Sequence, residues 1–210
     1  MKHLVVLTGA GISAESGLST FRDNNGLWTK VNAEELASIQ GYRKDRAKVL
    51  AFYNERRKNL LTVEPNHAHR VLAELEKVYK VSIITQNVDD LHGRAGSTNV
   101  LHLHGELRKA TGSNNPNDVR CIKEMPLDVP IEIGNKAADG SQLRPFIVFF
   151  GEVLRYDGIA SDGRKILFHH RRECHQARHH HLYRLCIHRG WRLLFPRWFR
   201  SSVRRAPLVA

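Results

Sequence analysis

The sequence predicts an α/β fold with a parallel β-sheet. Short apolar runs rich in β-branched residues alternate with longer segments whose apolar residues recur at helical spacing. A glycine-rich turn directly follows the first apolar run, as it does where a buried strand leads into a helix. The chain has 210 residues, of which 41% are hydrophobic and 26% are charged. This composition excludes a wholly disordered chain, and the length suits one domain with a small insert.

Four segments are predicted as buried strands, because each is a continuous apolar run. They cover residues 4–7, 81–85, 100–103 and 146–150. The last segment is expected to form the fourth strand of the same parallel sheet. Residues 108–144 are rich in Asn, Pro, Asp and Gly and have weak periodicity, which predicts a loop-rich insert.

Two helices are predicted between the first two strands. Residues 45–61 have apolar side chains at helical spacing, namely Val49, Phe52, Tyr53 and Leu60. The second helix is predicted to begin after Asn66, whose side chain suits an N-cap. Its apolar stripe consists of Val71, Leu72, Leu75, Val78 and Tyr79.

The net charge of +12 is concentrated near the end of the chain. Residues 1–150 have a balance of +3, whereas residues 151–210 have +9, with 12 Arg, one Lys and seven of the 13 His. Neither helical nor strand periodicity continues beyond Glu152. We expect residues 153–210 to be an out-of-frame translation, with a real Arg/His-rich extension as the alternative. Translating the other frames beyond codon 152 tests this expectation.

The cysteines and apolar runs favour a cytoplasmic protein that does not enter a membrane. Three cysteines, Cys121, Cys174 and Cys186, make no disulfide framework. No run of about 18 apolar residues is present, so a membrane span is not predicted. The apolar run at residues 4–7 is too short for a signal peptide.

The turn after the first strand has the pattern of a dinucleotide-binding loop. Gly9, Gly11 and Ala14 fit G-x-G-x-x-[G/A], in which the first glycine allows the turn and the second lets backbone N–H groups approach a pyrophosphate. A tight turn without a ligand is the alternative. The acidic residue that usually follows about 20 positions later is missing, which disfavours a dehydrogenase.

Polar residues follow the second strand, where open α/β sheets bind ligands. Gln86, Asn87 and Asp89 offer amide and carboxylate groups, which suit ribose hydroxyls and a carboxamide. A helix N-cap formed by Asn87 or Asp89 is the alternative.

Two histidines lie at the end of the third strand. His102 and His104 share one face, because side chains alternate along a strand. Such a pair is able to ligate a metal, but no third ligand accompanies it. A histidine at a strand end also suits a general base near neutral pH. An ordinary surface histidine is the remaining alternative.

Tyr53 and Arg56 are spaced i, i+3 on the first predicted helix and therefore share a face. A guanidinium and a phenol together are able to hold a carboxylate. A core tyrosine beside a solvated arginine is the alternative.

Taken together, these residues resemble the sirtuin family of NAD-dependent protein-lysine deacylases. The resemblance covers roughly residues 3–152. It rests on Gly9-Ala10-Gly11-Ile12-Ser13-Ala14-Glu15-Ser16-Gly17, Thr20-Phe21-Arg22-Asp23, Thr85-Gln86-Asn87-Val88-Asp89, His102-Leu103-His104-Gly105-Glu106-Leu107 and Phe149-Phe150-Gly151-Glu152.

The resemblance implies a Rossmann-like sheet, NAD as cofactor and acyl-lysine proteins or peptides as partners. The implied NAD-binding residues are Gly9, Ala10, Gly11, Ile12, Ala14, Thr20, Phe21, Arg22, Asp23, Trp28, Gln86, Asn87, Val88 and Asp89. His104 is the implied base, which deprotonates a ribose hydroxyl while the acyl group passes to ADP-ribose and nicotinamide leaves. Phe52-Tyr53-Asn54-Glu55-Arg56 resembles the Tyr-x-x-Arg pair of sirtuins that prefer succinyl- and malonyl-lysine, so Tyr53 and Arg56 are the implied substrate-binding residues.

The chain departs from the family pattern in two places. Sirtuins usually carry two Cys-x-x-Cys pairs for a structural zinc, but residues 107–149 hold only Cys121, so no zinc is expected. The later strands of the family's sheet are not found in residues 153–210. We therefore predict a catalytic region at 1–152, with small-domain inserts at 28–62 and 108–145, followed by a tail at 153–210.

Several functions stay open at this stage. The leading one is removal of succinyl, malonyl or acetyl groups from protein lysines. The alternatives are an inactive truncated sirtuin-like protein, and a protein whose basic tail contacts nucleic acid non-specifically. ADP-ribosyl transfer to protein would use the same pocket.

Overall fold

The computed structural model of the protein describes residues 1–19, 33–152, 158–159 and 165–166. The strands in these ranges are β1 (His3–Thr8), β2 (Lys80–Thr85), β3 (Val100–His102), β4 (Gly105–Gly112), β5 (Lys123–Glu124), β6 (Leu143–Ile147), β7 (Gly158–Ile159) and β8 (Lys165–Ile166). The α-helices are α1 (Ala33–Leu36), α2 (Ile39–Lys44), α3 (Arg46–Asn59), α4 (His67–Glu74) and α5 (Leu91–Arg94). Two 3₁₀ helices cover Ala10–Ser16 and Leu75–Lys77.

Most of the predicted tail at 153–210 lies outside the described residues, so its predicted origin and contacts stay predictions. Its described part is the short antiparallel pair of β7 and β8. Within the described ranges, no helix has both the length and the apolar character that crossing a membrane requires.

The first three strands form a parallel sheet in the order β1-β2-β3. β1 and β2 are paired from His3 opposite Lys80 to Thr8 opposite Thr85. Val5, Ile84 and Leu103 are buried together in an apolar cluster of this sheet. The predicted parallel sheet is confirmed, and the predicted strands at 4–7, 81–85 and 100–103 all lie in it.

The next strands form a separate antiparallel sheet in the order β5-β4-β6. β6 contains the start of the apolar segment at 146–150 and pairs with β4, with Gly105 opposite Ile147. The prediction that residues 146–150 form a fourth parallel strand is therefore wrong. An apolar run indicates burial but does not identify the strand beside it. In the described stretch between β4 and β6, β5 is the only strand, in agreement with a loop-rich insert.

Local capping signals set the starts of the longer helices. Asp45 caps α3 by accepting a hydrogen bond from the Lys48 N–H at 2.9 Å. The Asn66 side chain accepts hydrogen bonds from the N–H groups of Ala68 at 3.0 Å and His69 at 3.4 Å. Both bonds satisfy N–H groups that a helix leaves unpaired in its first turn. The predicted Asn66 cap is confirmed.

The predicted apolar stripe after Asn66 does not form a buried face. In the described part of the chain, Val71, Val78 and Tyr79 are 36%, 61% and 37% exposed. α4 also ends at Glu74, and the tighter 3₁₀ helix that follows changes the spacing between side chains. The residues of the stripe therefore do not continue along one helix face.

A buried arginine fastens α3 to the second sheet and to the insert. Arg57 is fully buried, and its Nε donates to the carbonyl of Leu107 at 3.1 Å. Its Nη1 and Nη2 donate to the carbonyls of Val129 at 2.6 Å and Pro126 at 2.5 Å. A guanidinium is suited to this position because its donors are fixed in a planar fork.

Replacing Arg57 with alanine should lower the free energy of unfolding by about 3 kcal/mol, because several buried carbonyls lose their donor. Urea denaturation of the full chain measures the change. The matched control is Lys58→Ala, since Lys58 is exposed on the same helix turn. Equal stability of the two variants would show that the Arg57 contacts contribute little.

Candidate functional site

A cavity of about 430 Å³ lies at the carboxyl ends of β1 and β2. Its lining comes from the 3₁₀ segment after β1, the loop after β2 and one side of α3. The lining residues from these segments include Ala10, Ser13, Asn87, Val88, Asp89, Phe52 and Arg56. The volume falls in the usual range for small-ligand sites, about 300–1,000 Å³. The fold thus brings three of the sequence motifs together at one cavity.

Of the two glycines in the first motif, Gly9 has a different role from the one predicted. Gly9 has φ of −143°, an extended conformation open to any residue, so the prediction that it allows the turn is wrong. Gly17, which ends the 3₁₀ segment, has φ of +93° and is the left-handed position. A Cβ added at Gly11 would meet no atom of the described residues within 4 Å. The space at Gly11 is therefore open to a ligand.

Three buried polar side chains form a hydrogen-bonded cluster in the cavity wall. The Ser13 hydroxyl donates to Asp89 Oδ2 at 3.0 Å and accepts from Asn87 Nδ2 at 3.1 Å. Asp89 Oδ1 also accepts from the Leu91 N–H at 3.2 Å. Ser13 was not among the predicted site residues, although it lies inside the glycine motif. Ser13 belongs to the site because it contacts Asp89, and this contact forms only in the folded chain.

The candidate base His104 is bonded to the loop that carries Asn87 and Asp89, but it is not among the residues that line the cavity. Its Nδ1 is 2.9 Å from the carbonyl oxygen of Gln86, which can only accept, so Nδ1 carries the proton and Nε2 carries the lone pair. Burial lowers the pKa of His104 below its ordinary value, and the bond to Gln86 partly opposes this. The imidazole is therefore neutral near pH 7, as a general base requires.

His102 makes an equivalent bond one residue further along the loop. Its Nδ1 is 3.0 Å from the carbonyl oxygen of Asn87. The two histidines thus both face the loop after β2, as their predicted common face requires. Across the described ranges, no group of three or more His, Cys, Asp or Glu side chains is placed to hold a metal ion.

Arg56 and Tyr53 occupy different environments on α3. Arg56 lines the cavity, and burial lowers its pKa while Tyr53 and Asp89 oppose the shift. Tyr53 lies in the apolar core, where its ring is 5.7 Å from that of Phe149. Burial raises the pKa of Tyr53 to about 12. The structure therefore places Arg56, but not Tyr53, among the residues that line the cavity.

The remaining predicted cofactor residues divide into two groups. Ile12 and Ala14 belong to the 3₁₀ segment, and Val88 lines the cavity. The Gln86 N–H donates to the carbonyl of Thr8 at 3.0 Å, which holds the loop after β2 against the end of β1. The other predicted residues lie outside the described part of the chain: Thr20, Phe21, Arg22, Asp23 and Trp28.

Two buried histidines, one in α4 and one in α5, were not predicted as site residues. His69 and His92 are 0% and 1% exposed, and their ring centroids are 4.8 Å apart. Burial lowers the pKa of His92 to about 4, with further lowering by His69 and His102. Burial also lowers the pKa of His69, an effect that Asp89 opposes. Both rings are therefore neutral near pH 7.

Comparison with known proteins gives one consistent family. Residues 9–167 match the Sir2 family. An NAD-dependent protein deacylase of Bacteroides thetaiotaomicron is 58% identical over 155 residues, which are 73% of this chain and 66% of the relative. A solved complex of a Sir2 homologue mutant with ADP-ribose has 46% identity and a TM-score of 0.66, covering 74% of this chain and 62% of the other. A Sir2 homologue–NAD complex has 47% identity and a TM-score of 0.63, with coverages of 74% and 60%.

The chain spans somewhat less than two thirds of the length of these relatives. The share is 66% for the Bacteroides protein and 62% and 60% for the two solved chains. The motifs described above all lie within residues 9–167, the part of the chain that matches the Sir2 family.

The buried histidines predict acid-sensitive stability. The pKa of His92 is about 4 in the folded chain, against 6.5 in its ordinary state. As the pH drops, His92 therefore binds a proton in the unfolded chain at a higher pH than in the folded chain. The free energy of unfolding should fall as the pH drops from 6.5 towards 4. Urea denaturation across this range measures the slope.

The contribution of His92 to that slope is isolated with His92→Phe. In this variant, the free energy of unfolding should depend less steeply on pH. The slope should be smaller by up to about 1.4 kcal/mol per pH unit, which is the contribution of one proton. His67→Phe is the matched control, because His67 is exposed on α4. A slope in His92→Phe equal to that of the wild type would contradict the prediction.

Proposed function

The chain belongs to the Sir2 family, and on this premise we propose that it is an NAD-dependent protein-lysine deacylase. The position of His104 carries the proposal. Its neutral imidazole is bonded to Gln86 beside the buried cluster of Ser13, Asn87 and Asp89. A general base next to preorganised amide and carboxylate groups suits acyl transfer to a ribose hydroxyl.

The residues at the cavity fit the dinucleotide. The open space at Gly11 leaves room for a pyrophosphate to approach the backbone. Asn87 and Asp89 present amide and carboxylate groups that suit a carboxamide and ribose hydroxyls. We assign the remaining contacts, by resemblance to the family, to the other predicted cofactor residues, namely Gly9, Ala10, Ile12, Ala14, Thr20, Phe21, Arg22, Asp23, Trp28, Gln86 and Val88.

The chain's own residues have distinct tasks in the proposed reaction. When bound, NAD supplies the bond between nicotinamide and ribose, which breaks as the acyl group is transferred. His104 keeps its Nδ1 proton on the Gln86 carbonyl, so Nε2 is the atom that accepts a proton from a ribose hydroxyl. The contacts of Ser13 hold Asn87 and Asp89 in place before the ligand arrives, which reduces the cost of ordering them.

We further propose that Arg56 gives the enzyme a preference for acidic acyl groups such as succinyl and malonyl. Arg56 lines the same cavity as Asn87 and Asp89. A half-buried guanidinium binds a carboxylate more strongly than an exposed one does, because less water competes. The part of Tyr53 in this proposal is to fix the position of α3 through its packing in the core.

The domain division is also a proposal. One apolar core joins α1–α3 to the second sheet, through residues such as Leu50, Leu107, Ile147 and Phe149. This shared core supports the assignment of residues 28–62 and 108–145 to one small domain attached to the parallel sheet. Cytoplasmic location stays our prediction.

The central test uses His104→Tyr in the full chain. The wild type, incubated with a succinylated peptide and NAD, should lose the succinyl group, and His104→Tyr should be slower by about 10²–10⁴-fold because the base is gone. Mass spectrometry follows the peptide, and urea denaturation checks that the variant is still folded. A variant that is stable and retains wild-type turnover would refute the assigned base.

Arg56→Met tests the proposed acyl preference. The loss of the guanidinium should reduce kcat/KM for a succinylated peptide by about 10-fold or more, while an acetylated peptide of the same sequence changes little. Lys58→Met is the control on the same helix, since Lys58 is exposed. Equal losses for the two acyl groups would remove the selective role of Arg56.

A further inference from the structure

We propose that His69 and His92 are positioning residues that hold the 3₁₀ segment Ala10–Ser16 in place for dinucleotide binding. The inference rests on the proposed use of NAD. Neither histidine is among the residues that line the cavity. Together they connect three elements: the end of β1, the start of α4, and α5.

His92 connects α5 to the last residue of β1. Its Nε2 is 3.0 Å from the hydroxyl of Thr8, and both side chains are buried. Thr8 directly precedes Gly9, and its carbonyl accepts the Gln86 N–H at 3.0 Å. His92 therefore sets the direction in which the chain leaves β1 relative to the loop after β2.

His69 supports the same segment from the opposite end, through Asn66. Its Nδ1 accepts a hydrogen bond from the Asn66 N–H at 3.4 Å, and its ring packs edge-on against His92. The Asn66 side chain donates to the carbonyl of Ile12 at 2.7 Å and to the Ser16 hydroxyl at 3.0 Å. Asn66 thus attaches α4 to both halves of the 3₁₀ segment.

The segment depends on such external contacts. Ser13 is its one buried residue, and short 3₁₀ helices have poor hydrogen-bond geometry of their own. Few buried contacts and a short helix are typical of regions that open locally at low cost. Thr8 and Asn66 supply contacts on either side of the glycine motif.

The pair also costs stability, which favours a role in the site over a role in packing. His69 Nε2 and His92 Nδ1 are buried without a hydrogen-bond partner among the described residues. Apolar side chains of similar size would avoid this cost. Burial keeps the pKa of both rings low, so both rings stay neutral, and each has one nitrogen that carries a proton and one that does not.

The first test needs no ligand. Amide hydrogen exchange of the full chain should be about 10-fold faster at residues 10–17 in His92→Phe and in Thr8→Val, because each loses the same bond. The double variant should exchange no faster than either single one, whereas His67→Phe should match the wild type. If His92→Phe fails to fold, Thr8→Val carries the test. Unchanged exchange at 10–17 would overturn the proposal.

The second test measures NAD affinity by calorimetry. Both variants should bind NAD about 10-fold more weakly, corresponding to the loss of one hydrogen bond. Their kcat at saturating NAD should stay within about twofold of the wild type, because His104 is untouched. His92→Gln, whose amide offers both a donor and an acceptor to the Thr8 hydroxyl, should recover part of the affinity. A purely structural role would lower the free energy of unfolding and leave the NAD affinity unchanged.

The outcomes separate this inference from the proposed function. If the wild type and both variants bind NAD with equal affinity, the positioning role is refuted and the proposed function stands. A wild type that binds no NAD would refute the proposed function, and the exchange of residues 10–17 would then decide whether the histidines position the segment.

Discussion

The backbone of Gly105 lies so close to Phe146 that no side chain fits between them, and the location of the site depends on this contact. A Cβ at Gly105 would stand 2.1 Å from the Phe146 carbonyl oxygen, and the residue has φ of +82°. β3 therefore ends and β4 begins within a few residues. His104 is held where the two sheets meet, with its carbonyl bonded to the Val148 N–H at 3.0 Å and its ring bonded to Gln86.

The second sheet keeps its place through buried polar groups. The Arg57 guanidinium reaches the insert, and Asn54 on the same helix bonds the backbone of Ile131 through both its donor and its acceptor, at 3.0 and 2.8 Å. Arg144, fully buried, makes two bonds to the Glu152 carboxylate at 2.6 and 2.9 Å. These protein groups anchor the region in which the family usually carries its zinc cysteines.

The three parallel strands and the start of α4 were predicted correctly, whereas the apolar stripe after Asn66 and the pairing of the run at 146–150 were not. The apolar runs gave three parallel strands, and Asn66 gave a helix start, because both signals act within a few residues. The run at 146–150 was given the wrong sheet, since pairing with β4 depends on the contact at Gly105. The burial of His69 and His92 was not predicted, because the burial of a histidine depends on its neighbours in the fold. The spacing of Tyr53 and Arg56 predicted a shared helix face, but Arg56 lines the cavity while Tyr53 packs in the core.

In the proposed reaction at His104, acyl removal and nicotinamide formation are two results of one event. The most direct measurement is their stoichiometry when the full chain is incubated with an acylated peptide and NAD, with both products quantified over time. The account predicts equal amounts of deacylated peptide and nicotinamide, and neither product when one of the two reactants is omitted. Acyl removal without NAD, or nicotinamide release that does not match acyl removal, would contradict it.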